Sequence, residues 1–62
     1  MMINDQVKTN DFYMNNGYGF KRSPLKLGTV INVRDEDNQT IIEVKTKNGR
    51  MRSYNKLFLE LA

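Results

Sequence analysis

The stretch QTIIEVKTKNGRMRSY, residues 39–54, decides how this chain is read. Its first half alternates. Ile42, Val44 and Thr46 fall on one face of an extended segment, and Glu43, Lys45 and Lys47 fall on the other. That is the pattern of a half-buried antiparallel strand with its charged face in water. Asn48-Gly49 follows, and Asn-Gly is the strongest short hairpin signal because both residues tolerate positive φ. The return strand is Arg50–Tyr54. On this hairpin Met51 and Ser53 face inward, and Arg50, Arg52 and Tyr54 share the opposite face.

Further strands flank the hairpin on both sides. Gly28 to Arg34 is β-branched and follows a glycine, which predicts a strand. Asp35 to Asn38 supplies turn chemistry before Gln39. After Tyr54, Asn55–Phe58 suits a single helical turn, and Leu59 and Leu61 alternate as a closing strand. At the other end Ile3, Val7 and Thr9 alternate as a first strand. Between them lies a long excursion, Asn10 to Leu27, which holds Phe12, Tyr13, Tyr18 and Phe20. A loop of that length in so small a chain is folded back on itself, functional, or both. Ser23-Pro24 ends its aromatic part, and Leu25 and Leu27 alternate into the second strand. The expectation is an all-β chain, residues 1–62 as one domain. Five short antiparallel strands close into a barrel, because closure removes exposed edges.

Composition narrows the chemistry. The 62 residues include no cysteine, no histidine and one proline, which excludes disulfides, zinc fingers and thiol or imidazole catalysis. Three of the seven carboxylates crowd into Asp35-Glu36-Asp37, a solvated turn without a calcium-loop pattern. No Walker loop or nucleophile signature occurs. The chain is therefore expected to be no enzyme, with no cofactor and no metal. It has no apolar run of membrane-spanning length, and a polar start, MMINDQVKTND, unlike a signal peptide. A soluble, cytoplasmic protein is expected. At this size the core is small, so a homodimer is as open as a monomer.

The net charge of +3 is strongly segregated. Residues 1–34 carry five cations and two carboxylates. Residues 35–44 carry only Asp35, Glu36, Asp37 and Glu43. Residues 45–62 carry Lys45, Lys47, Arg50, Arg52 and Lys56 against Glu60 alone. Clustered Lys and Arg on one face attract a polyanion, and an acidic turn points away from it.

The order of elements resembles a small SH3-like barrel of the KOW and Tudor kinds. The residues that carry the likeness are Asp5–Lys8, Gly28-Thr29-Val30, Ile42-Glu43-Val44, Asn48-Gly49, Tyr54 and Leu57. Such barrels open with Gly-Asp-x-Val; here Asn4-Asp5-Gln6-Val7 keeps the acid and the valine. The resemblance implies a non-catalytic binding module, contacting nucleic acid in the KOW-like members and methylated side chains in the Tudor-like ones. Gly17-Tyr18-Gly19-Phe20 is similar to the Gly-aromatic-Gly-Phe run of cold-shock barrels, in which aromatic rings stack on bases. Met51–Tyr54 stands where the barrel-forming type II dihydrofolate reductases carry Val-Gln-Ile-Tyr, and keeps only the tyrosine.

The candidate nucleic-acid-binding residues are Tyr18, Lys21, Arg22, Lys45, Lys47, Arg50, Arg52 and Tyr54, with the tyrosines stacking and the cations on phosphates. Phe12, Tyr13 and Phe20 are either stacking or core residues. The expected partner is RNA or DNA. The alternative is a protein–protein module, an inhibitor or phage-type accessory factor acting on a larger complex.

Overall fold

The computed structural model describes residues 1–15 and 23–62. Among them, strands β1 (Gln6–Thr9), β2 (Gly28–Glu36), β3 (Gln39–Thr46), β4 (Met51–Asn55) and β5 (Leu59–Leu61) form one sheet. Every pairing is antiparallel, and the order is β4-β3-β2-β1-β5. Helix α1 (Asp11–Asn15) follows β1, and a 3-10 turn (Lys56–Phe58) precedes β5. The expected five strands, long β1–β2 connection and single helical turn are present. The expected closure is not: β4 and β5 are the two edges, and no ladder joins them among the described residues.

The core comprises Val7, Tyr13, Leu25, Val30, Ile42, Val44, Tyr54 and Leu59. Val30, Ile42, Val44 and Tyr54 line one face of β2–β4. Val7 and Leu59 cover it from β1 and β5, with Tyr13 from α1 and Leu25 from the long connection. The first strand starts later than its alternation suggested, since Ile3 lies outside it and is exposed. Residues 2–5 instead form a turn in which the Asp5 carboxylate accepts from Met2 N–H at 2.8 Å. Asn4 there has φ +77°, the left-handed conformation that glycine adopts most readily.

The β2–β3 hairpin closes on two residues, Asp37 and Asn38, both at positive φ, with Glu36 opposite Gln39. Type I′ turns need this pair of conformations and match the twist of the strands. Both strands thus run closer to the tip than the four-residue turn expected over 35–38. A bulge between Val30 and Asn32 shifts the register. It keeps Val30 opposite Val44 and Val33 opposite Ile42, although Val30 and Val33 are three residues apart.

The β3–β4 hairpin closes differently. Gly49 N–H donates to Thr46 C=O at 2.9 Å, and Thr46 N–H donates to Arg50 C=O at 2.7 Å. Lys47, Asn48 and Gly49 form the loop, and only Gly49 among them has positive φ, +82°. Three-residue hairpin loops commonly take this form, a type I turn ending in a left-handed glycine. The extra loop residue sets Lys45 opposite Met51 and Ile42 opposite Tyr54. A one-residue shift of register turns every side chain to the other face. Hence the expected facing of β4 is reversed: Tyr54 is buried at 4% exposure, and Met51 is 65% exposed.

Two ties fix the long connection at its ends. At its start, Asn10 caps α1, its side-chain oxygen accepting from Tyr13 N–H at 3.1 Å and its amide donating to Leu57 C=O at 2.8 Å. At its end, the Leu25 carbonyl accepts from the Thr9 N–H at 3.0 Å and from the Thr9 hydroxyl at 3.2 Å. Leu25 therefore folds inward, and Leu27 does not continue as a buried strand residue. Gly28 lets it pack: a Cβ there would lie 3.1 Å from Leu25 Cδ2 and 3.3 Å from Val44 Cβ.

Candidate functional site

The β3–β4 turn and the segment Ser23–Leu27 face each other across a pocket of about 310 Å3. Lys47 and Arg50 stand on the turn side, Arg52 on β4 and Lys26 on the opposite wall. Among the described residues, no carboxylate lines it. Pro24, Leu25 and Leu27 supply its apolar surface. Both walls are held by backbone: the turn by its Thr46 bonds, and the opposite segment by the Leu25 carbonyl on Thr9. The Thr46 hydroxyl also accepts from Arg50 N–H at 3.1 Å. The backbone that carries the cations is thus hydrogen-bonded on both walls.

Arg52 reaches the pocket because the three-residue turn places it on the core side of β4, opposite Val44. Its guanidinium donates to the Tyr54 hydroxyl at 3.4 Å. That bond is the main cause that raises the Arg52 pKa above its ordinary value, against a smaller opposing effect of desolvation. Arginine is cationic across the ordinary pH range in any case, so the bond to Tyr54 orients the guanidinium rather than charging it.

The candidate residues from the sequence separate. Lys47, Arg50 and Arg52 come together. Lys45 does not join them; it lies on the outer face of the sheet, opposite Met51. Tyr54, expected to stack on bases, is a core ring, edge-on to Tyr13 with centroids 6.1 Å apart. Tyr13 is likewise buried, and Phe12 is half exposed, stacked on Phe58 at 5.6 Å. Tyr18, Phe20, Lys21 and Arg22 lie outside the described residues. The sequence reading missed Lys26, which had been absorbed into the Leu25–Leu27 alternation. Its signal was Pro24 two residues before it, which disfavours a regular strand there.

No protein-family model, curated protein or solved structure matches this chain.

The acidic cluster Asp35-Glu36-Asp37 lies at the other end of β3. That strand is eight residues long, so the Asp35–Asp37 tip stands roughly 25 Å from the basic turn. Arg34 bridges Glu36 and Glu43 beside the tip, and Asp35 accepts from the Thr40 hydroxyl at 2.8 Å. Among the described residues, no three of Asp and Glu are grouped to hold a metal ion. No helix among them is long and apolar enough to cross a membrane.

Proposed function

We propose that this chain is a small SH3-like barrel that binds nucleic acid without catalysis, through the recess between Ser23–Leu27 and the β3–β4 turn. The observation that carries the reading is the convergence of Lys26, Lys47, Arg50 and Arg52 on one pocket that no carboxylate lines among the described residues. Phosphate is the abundant anion whose binding needs such a cluster and little else. The acidic tip at the far end of β3 repels a polyanion, so the molecule meets it turn first. The barrel reading is supported by the strand order, by the 3-10 turn before β5, and by left-handed Asn4 where the resembled family carries glycine.

Fluorescence anisotropy with labelled oligonucleotides at low salt tests it. Three or four phosphate contacts give a slope of log K on log salt of about −2 to −4. Lys47→Glu with Arg50→Glu reverses two exposed turn charges and should remove binding without unfolding the protein. Absence of binding at low salt, or binding indifferent to that reversal, would remove the proposal.

The second reading, a protein-binding module, rests on the large apolar side chains left exposed, Leu57 at 66% and Leu61 at 62%, together with half-exposed Phe12. A complex that survives nuclease and high salt but is lost on Leu57→Ser would favour it.

A further inference from the structure

The pocket is not purely electrostatic. Its cations share a recess with an apolar wall, Pro24, Leu25 and Leu27, and Leu27 keeps 43% of its surface exposed there. A surface that only tracks a duplex backbone needs cations and has no use for that wall, because paired bases are stacked inside the helix. An unpaired nucleotide offers both parts at once: an anionic phosphate and an apolar base or sugar face. The volume agrees, since about 310 Å3 lies at the small end of ligand pockets, roughly 300–1,000 Å3. That is room for a single nucleotide. The arrangement of charge agrees as well. Four cations line the one recess, enough to meet a phosphate and its neighbour beside the apolar wall.

We infer that the recess takes one unpaired nucleotide of a single-stranded nucleic acid. Arg50 and Arg52 hold its phosphate, Lys26 and Lys47 flank the strand on either side, and Leu27 and Pro24 meet the base or sugar. The Asn48 amide and the Ser23 hydroxyl at the rim supply hydrogen bonds to polar edges. This rests on the nucleic-acid reading of the same recess and adds the strandedness of the ligand.

The experiment compares three labelled probes of equal length at low salt: oligothymidylate, oligouridylate and a blunt mixed-sequence duplex. Both single strands should bind about tenfold more tightly than the duplex. Leu27→Ser, at an exposed position, should weaken the single strands about threefold or more and leave the duplex unchanged. Its circular dichroism and melting temperature should match the parent, and Leu27→Met should restore single-strand affinity. A duplex bound as tightly as the single strands, with Leu27→Ser without effect on any probe, would overturn the inference and leave the nucleic-acid reading standing. Failure of all three probes would overturn both.

Discussion

The two hairpins share β3 and differ by a single residue of turn. Asp37-Asn38 closes the acidic one with two left-handed residues; Lys47-Asn48-Gly49 closes the basic one with a single left-handed glycine. In the first, charge and geometry are separate matters. Positive φ at both turn residues fixes the register, and the carboxylates make only exposed contacts, with Arg34 and the Thr40 hydroxyl. In the second they are coupled. The third loop residue shifts the register, turns Tyr54 into the core and, by the same rotation, carries Arg52 round to join Lys47 and Arg50. A turn of two residues would leave Arg52 on the outer face with no recess to line. Loop length at this turn thus sets both the core and the proposed site.

The sharpest way to break that account is to compare Tyr54 with Met51. Tyr54→Ala should cost about 3–5 kcal/mol, the range for deleting a buried aromatic ring. A chain of this size has roughly 3–9 kcal/mol of total stability, so the variant should be largely unfolded at room temperature or close to it. Met51→Ala should stay within about 0.5 kcal/mol of the parent. Urea melts followed by circular dichroism measure both. The reverse ranking would restore the two-residue register.

Binding should discriminate the two turns next. Lys47→Glu with Arg50→Glu should lower oligonucleotide affinity tenfold or more at low salt, about 1.4 kcal/mol or above. Neutralising the other tip, Asp35→Asn with Asp37→Asn, should change affinity less than about twofold at physiological salt, where charges are screened over about 8 Å. Affinity should also be flat from about pH 6 to pH 9, because the chain has no histidine and arginine is charged throughout that range. Equal sensitivity at both tips would contradict a localised site.

The third comparison concerns backbone alone. A Cβ at Gly49 would meet nothing within 4 Å, so Gly49→Ala isolates the cost of φ +82° for an alanine. That cost should be about 1–2 kcal/mol. Deleting Lys47 should cost less, within about 1 kcal/mol, because Thr46 and Arg50 can then close on an Asn-Gly loop of the favoured two-residue kind. Lys45 would remain opposite Met51. Chemical-denaturation midpoints rank the two variants.

This coupling also explains what the sequence disclosed. The alternation of Ile42, Val44 and Thr46 against Glu43 and Lys45 was legible because apolar and charged residues separate cleanly by parity. Arg50-Met51-Arg52-Ser53-Tyr54 was not, because it has one large apolar residue on each parity and Asn-Gly accommodates either loop length. The bulge near Ile31 was hidden for a related reason: Val30, Ile31 and Val33 are apolar on both parities. Of the candidate site, the charge segregation was readable from counting alone. Its membership was not, since Lys26 joins it through a tertiary contact between Leu25 and Thr9, and Lys45 leaves it through strand parity. The α1 turn did have a local signal, Asn10 as a capping residue before Asp11, ahead of the apolar Phe12-Tyr13-Met14.

The smallest effect should come from the acidic hairpin's own charges. Arg34 sits between Glu36 and Glu43, all three side chains at least partly exposed. Exposed pairs of this kind contribute about 0.2–1 kcal/mol each, and salt screens them. Arg34→Ala should therefore destabilise the protein by about 1 kcal/mol or less at low ionic strength. The deficit should vanish near 1 M salt, where the screening length falls to about 3 Å. If turn geometry holds this hairpin, the strands stay in register without Arg34, and amide exchange near Asp37 and Asn38 barely changes. A loss above about 2 kcal/mol that salt does not rescue would mean that charge and register are coupled here too. The acidic and basic hairpins would then differ in sign of charge but not in design.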